Sequence, residues 1–242
     1  MFIYIISSTI LVSLISFAGV ITLILKPDKL QKILKLLISF SAGTMLGSAF
    51  IHLLPEASEN LSFNTIYLVI IISFSILFII EKLLYWHHCH KIQCKKHTLG
   101  SLNLIGDSIH NFLDGIIIAG AFMIDIKIGI TTVIAIIFHE IPQEISDFGI
   151  LLYSGFSRKK AIISNFVISL TSILGSLFGY FLNSYSHTFK SYLLPLAAGN
   201  FIYIAASDLL PEMKKEKNMK QSFIYLIIFL IGNVFIYLTK YI

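Results

Sequence analysis

The chain alternates long oily runs with short polar breaks. A membrane-spanning helix needs about 20 mostly apolar residues, and such windows fall at 2–25, 35–54, 62–85, 99–124, 127–154, 160–183, 191–211 and 221–240. The pattern predicts an all-α polytopic membrane protein, with eight transmembrane helices on short loops and the whole of 1–242 as one transmembrane domain. Windows four and five are the least apolar, because each carries a polar run: NLIGDSIHNFLD at Asn103–Asp114 and HEIPQEISD at His139–Asp147. Residues 1–25 contain no charge, so they read as the first spanning helix rather than a cleaved leader, which would need a basic start.

Composition strengthens this reading. At 56% hydrophobic and 13% charged residues, the chain carries more apolar surface than a soluble core of this length hides. A net charge of +5 suggests nucleic acid at first sight, yet the positive residues sit in short loops rather than on one face. Fifteen of the 18 Lys and Arg fall in the loops after helices one, three, five and seven; the other side has only Lys127, Lys190 and Lys240. The positive-inside rule therefore places the odd-numbered loops in the cytoplasm and both termini outside, with the plasma membrane as the expected location. The cytoplasmic loop 86–98 groups His87, His88, Cys89, His90, Cys94 and His97. These soft ligands suit capture of released metal, although a merely solvated loop would read the same way, and two cysteines in one loop imply no disulfide framework.

An internal repeat adds an architectural expectation. Ala42-Gly43 through His52-Leu53-Leu54-Pro55-Glu56 aligns without gaps to Ala198-Gly199 through Asp208-Leu209-Leu210-Pro211-Glu212. Windows two and seven must cross the membrane in opposite directions. An inverted repeat is a signature of alternating-access transporters, which hold their substrate near the bilayer midplane. The pairs Gly43/Gly47 and Gly175/Gly179 read as close helix packing first, and as a homodimer face second.

The polar runs carry the chemistry. At about 100° per residue, Asn103, Asp107, His110, Asn111 and Asp114 share one stripe about 100° wide. In the next helix His139 and Gln143 are four apart, as are Glu140 and Glu144, with Asp147 near the following turn. A connection as short as Asp125–Lys127 makes these helices antiparallel neighbours, so the stripes can face each other. A charge at mid-bilayer costs roughly 2.5–3.5 kcal/mol even on the lenient scale, and here two histidines cannot neutralise five acids. Imidazole, carboxylate and amide oxygen together suit a divalent cation such as Zn²⁺, Fe²⁺ or Mn²⁺. Pro142 removes an amide donor beside this stripe and frees the carbonyl of Phe138. The bland alternative is that these groups pair with one another as glue between helices.

Here a resemblance becomes specific. HNFLDG at His110–Gly115, HEIPQEISDFGILLYSGFSRKKA at His139–Ala161 and AGTMLGSAFIHLLPEA in window two are similar to the ZIP family of zinc and iron transporters. The resemblance covers nearly the whole chain. It implies a three-plus-two-three helix arrangement, a two-metal transport site on helices four and five, and movement of the metal towards the cytosol. By position, His110, Asp114, His139 and Gln143 would form one metal site, and Asn111, Glu140 and a shared Asp114 a second. Many eukaryotic members carry HEIPHE where this chain has HEIPQE, so Gln143 stands in place of a histidine and leaves Fe²⁺ and Mn²⁺ open beside zinc. Asp107, Glu144 and Asp147 are secondary or pathway candidates, and His52, Glu56, Asp208 and Glu212 are candidates for entrance or exit. The expected partners are a divalent metal ion as cargo and the lipid bilayer, with no organic cofactor and no nucleic acid.

Two rival functions belong to other classes. HEIPQ is one residue from the HExxH of a zinc protease, whose mechanism needs a second imidazole where Gln143 stands. His110 and His139 as axial haem ligands would not need five nearby carboxylates.

Overall fold

The computed structural model describes residues 1–86, 96–185 and 187–239. The His/Cys loop falls largely outside them: His87, His88, Cys89, His90 and Cys94 are not described, and His97 is described only as helix backbone. Among the described residues, eight helical rods are long and apolar enough to cross a membrane. They are α1 (Phe2–Leu14, continued as a tighter 3₁₀ helix over Ile15–Leu23), α2 (Pro27–Gly47, running on to Ser58), α3 (Phe63–Trp86) and α4 (Lys96–Ile124). Then follow α5 (Ile126–Tyr153), α6 (Arg158–Ser169 and Thr171–Tyr185), α7 (His187–Ile204, running on to Lys214) and α8 (Met219–Thr239).

Local chemistry explains where these rods begin and bend. Pro27 stands in the first turn of α2, where its missing N–H costs nothing, so this helix starts well before its apolar window. Asp125 alone separates α4 from α5, and its carboxylate accepts the backbone N–H of Lys127 at 2.7 Å. That one-residue turn makes α4 and α5 antiparallel neighbours. The α5–α6 turn closes on Gly155, whose φ of 88° suits glycine alone. The matched repeat segments share a further feature: each widens into a π-helical turn, at Ser48–Leu53 and Ala205–Leu209. Pro55 and Pro211 follow directly, and neither can donate to the carbonyl one turn back, which loosens the ladder at both places.

Packing sorts the rods into an inner and an outer set. The α5 span is 67% buried inside the protein and the α3 span only 11%, leaving α3 apolar side chains such as Phe63, Ile71 and Phe78 on the outside. α4 packs along the second half of α6, and α5 along the second half of α1; α2 packs along α8, and α7 along α3. Exchanging α1 with α6, α2 with α7, α3 with α8 and α4 with α5 maps each of these pairs onto the other.

Two crossings need glycine. A Cβ on Gly175 would lie 1.9 Å from the carbonyl oxygen of Phe112 on α4, and one on Gly43 would lie 2.1 Å from that of Phe229 on α8. Gly47 and Gly179 likewise meet Ile236 and Ile116 of this same chain, so both glycine pairs serve packing within it. Hydroxyls sew α1 to α6: Ser13 Oγ is 3.0 Å from Ser172 Oγ, and Ser169 Oγ donates to the Ser13 carbonyl at 3.0 Å. Such bonds hold helices together where lipid offers no hydrophobic drive.

Candidate metal centre

The antiparallel pair α4–α5 brings its two polar runs face to face. His110 and Asp114, four residues apart on α4, meet His139 and Glu140 on α5, and one ligand atom from each lies within 4.8 Å of the others. His110 Nε2 is 3.1 Å from His139 Nε2, 3.3 Å from Glu140 Oε1 and 3.7 Å from Asp114 Oδ2. His139 Nε2 is 3.2 Å from Asp114 Oδ2 and 3.6 Å from Glu140 Oε1. Ligands held about 2.0–2.2 Å from a tetrahedral Zn²⁺ stand about 3.3–3.6 Å apart along the edges of their tetrahedron. The five separations straddle that range.

Three further observations bear on whether these atoms could hold a cation. His139 Nδ1 lies 3.2 Å from the Ala135 carbonyl, which can only accept. Its hydrogen therefore sits on Nδ1, and the Nε2 lone pair points into the cluster. Neither carboxylate oxygen of Asp114 takes a hydrogen bond, nor does Oε1 of Glu140, and both residues are buried. A buried carboxylate that takes no hydrogen bond is costly, and the imidazole Nε2 atoms 3.2–3.7 Å away offset its charge only when protonated. The donor set of two imidazoles and two carboxylates supplies two negative charges for a doubly charged ion.

Two members of the cluster, His110 and His139, line a cavity of about 860 Å³. Its walls include His110, Leu113, His139 and Gln143 at depth, and Asn103, Tyr153, Glu81 and Glu212 nearer the helix ends. Those ends are the ones that carry the Lys/Arg-rich loops. Beyond the cluster the core is sealed by Ile117, Phe122, Ile136 and Phe201, each about 1% exposed or less. One side of the four-residue cluster is open and the other is shut.

The profile of the ZIP zinc transporter family matches residues 2–101 and 85–240, nearly the whole chain. This chain belongs to the ZIP family. Among its relatives, zinc transporter ZIP13 of Pongo abelii is 33% identical over 216 residues, covering 83% of this chain and 65% of the relative. Zinc transporter ZIP10 of Danio rerio is 41% identical over 110 residues, covering 46% of this chain and 13% of the relative. The ZIP13 homolog of Drosophila melanogaster is 38% identical over 140 residues, covering 57% and 39%. The chain thus spans less than two-thirds of the length of these relatives. ZIP proteins are transporters and not enzymes, which sets aside the protease reading of HEIPQ.

Within this ZIP fold the remaining sequence candidates separate clearly. Glu140, expected at the second position, reaches into the same cluster as His110 and His139. Asn111 and Gln143 both turn their amide nitrogens to Asp107 Oδ1, at 2.9 and 3.1 Å. Asp107 and Asp147 line the cavity, as do Asp208 and Glu212 near its mouth. Glu144 points elsewhere: its Oε2 accepts from Asn165 Nδ2 of α6 at 2.9 Å. His52 is tied to α8 through the Ile236 carbonyl (3.0 Å) and Thr239 (3.3 Å), and neither it nor Glu56 lines this cavity.

Three participants went unremarked in the sequence. Asn165 is the buried partner of Glu144, and Tyr203 donates to Glu81 in the cavity wall. An amide inside the apolar run AIISNFVIS was the available signal for Asn165. Nothing in the sequence pairs Tyr203 with Glu81, which lie 122 positions apart.

Proposed function

We propose that this chain carries divalent metal, zinc foremost and Fe²⁺ or Mn²⁺ beside it, across the cell membrane into the cytoplasm. The observation that carries the proposal is the close grouping of His110, Asp114, His139 and Glu140, with both imidazoles lining a one-sided cavity. The names of the relatives, all zinc transporters, support the same cargo.

The direction rests on charge. The cavity opens among helix ends bearing fifteen of the 18 Lys and Arg, so the positive-inside rule favours a cytoplasm-facing state with both termini outside. Alternating access then requires the apolar seal to part while the open side closes. The three-plus-two-three arrangement is supported by the way helix exchange maps α4–α6 onto α5–α1 and α2–α8 onto α7–α3. A second metal position shared through Asp114 is supported by the unpartnered Asn111 Oδ1 and Asp114 Oδ1. Gln143 supplies an amide where an imidazole would select zinc more sharply, which supports a wider metal range.

Uptake of radioactive zinc into liposomes reconstituted with the purified protein tests the proposal. Uptake should saturate and be reduced by excess Fe²⁺ or Mn²⁺. Excess Mg²⁺ should not reduce it, because that ion demands an octahedron of oxygen ligands. Uptake no greater than in protein-free liposomes, or equal competition by Mg²⁺, would overturn it.

A further inference from the structure

Asp107 lies outside the four-ligand cluster, one turn before His110, and is 5% exposed. Its Oδ1 accepts two hydrogen bonds, from Asn111 Nδ2 at 2.9 Å and from Gln143 Nε2 at 3.1 Å. Asn111 Nδ2 also donates to the Asp107 backbone carbonyl at 3.1 Å, so both of its hydrogens are committed to one residue. An amide can answer an accepting oxygen only with its nitrogen. Its carbonyl oxygen sits on the opposite side of the same carbon and is therefore turned away from Asp107. For Asn111 that oxygen is buried and takes no hydrogen bond from the protein. For Gln143 the side chain borders the cavity together with His139.

A metal ion takes the oxygen end of an amide and is repelled by the NH₂ end. The two orientations differ by a half-turn of a soft terminal torsion. Left to itself, each amide would present the wrong end for much of the time.

We propose that Asp107 is a positioning residue: without binding the ion, it locks Asn111 and Gln143 with their carbonyl oxygens presented to the transported cation. This deepens the function proposed above and rests on that metal site. It gives Asp107 the role that outer partners play at metal centres, where their loss costs about 10–100-fold in affinity or activity. It also spans the two helices: one carboxylate on α4 aligns an amide of its own helix and another on α5.

The test is a cycle of variants in zinc uptake, with apparent KM and maximal rate measured separately. D107L deletes the acceptor and should raise the KM at least about 10-fold, with a smaller change in maximal rate. Q143E sets a second carboxyl against the Asp107 carboxylate, where the two can bond only by taking up a proton, and should also raise the KM. D107N/Q143E restores a donor–acceptor pair in reverse, leaves a free carboxylate oxygen for the ion, and should bring the KM back towards the parent. A simple tie between helices would lower the yield of inserted protein while leaving the KM of the remainder unchanged. Parental KM in D107L, or a KM in D107N/Q143E no lower than in Q143E, would overturn the assignment. If D107L fails to insert, the comparison of Q143E with D107N/Q143E still decides. Asp114→Ala runs alongside: if it transports like the parent, the metal site itself is wrong, whereas an inactive Asp114→Ala with a normal D107L condemns only the role of Asp107.

Discussion

Replacing Asp114 by alanine is expected to reduce zinc uptake by at least about 100-fold while the protein still inserts and folds. A direct ligand is worth at least as much as its outer partners, which already carry about 10–100-fold. Asp114 Oδ2 stands 3.2 Å from His139 Nε2 and 3.7 Å from His110 Nε2, and its carboxylate has no hydrogen-bond partner within the protein. Removing it leaves Glu140 alone to balance a doubly charged ion in a buried site, and uncompensated buried charge is expensive. The fold should hardly notice, because the change removes no apolar contact and alanine suits a helix interior. Asp114→Asn separates charge from shape: it keeps the volume and should also lose most uptake. Surface-inserted protein is quantified beside the uptake rate. An Asp114→Ala variant that inserts normally and transports at half the parent rate or better would remove this residue from the metal path.

Gln143→His is expected to act in the opposite direction on affinity, lowering the zinc KM about 10-fold and weakening competition by manganese. Gln143 Nε2 donates to Asp107 Oδ1 at 3.1 Å, and an imidazole N–H at this place can make the same bond. The second ring nitrogen is then presented in the carboxylate–histidine–metal arrangement that fixes tautomer and orientation. A third imidazole favours zinc over manganese, which prefers oxygen. Tighter holding should slow release, so the maximal rate is expected to fall. Competition of Mn²⁺ against radioactive zinc, measured in parent and variant, checks this. Unchanged competition would mean that position 143 does not touch the ion.

The eight spans were legible because hydropathy needs only about 20 apolar residues in a row, a local property. The candidate site was legible for a related reason. His110 and Asp114 share a helix face at four-residue spacing, and the Asp125 turn leaves α4 and α5 no geometry other than antiparallel. What the sequence hid depends on contacts between distant segments. His139 and Glu140 are adjacent, so they point about 100° apart on an ideal helix. Both reach one cluster all the same, with Glu140 Oε1 3.3 Å from His110 Nε2. The hydrogen bonds that turn Asn111 and Gln143 towards Asp107 are likewise invisible in a helical projection, which locates side chains but not the ends of an amide. The π-helical turns at Ser48–Leu53 and Ala205–Leu209 had a visible cause in Pro55 and Pro211. Their matched position gives the LLPE repeat a structural meaning that letter identity alone lacks.

We propose that His110, Asp114, His139 and Glu140 together hold the transported ion. Crystals of the intact protein grown with zinc, with an anomalous difference map recorded at the zinc edge, test it most directly. A peak is expected within about 2.0–2.2 Å of His110 Nε2, His139 Nε2, Asp114 Oδ2 and Glu140 Oε1. A zinc-transporting protein whose map shows no peak among those four atoms would contradict it.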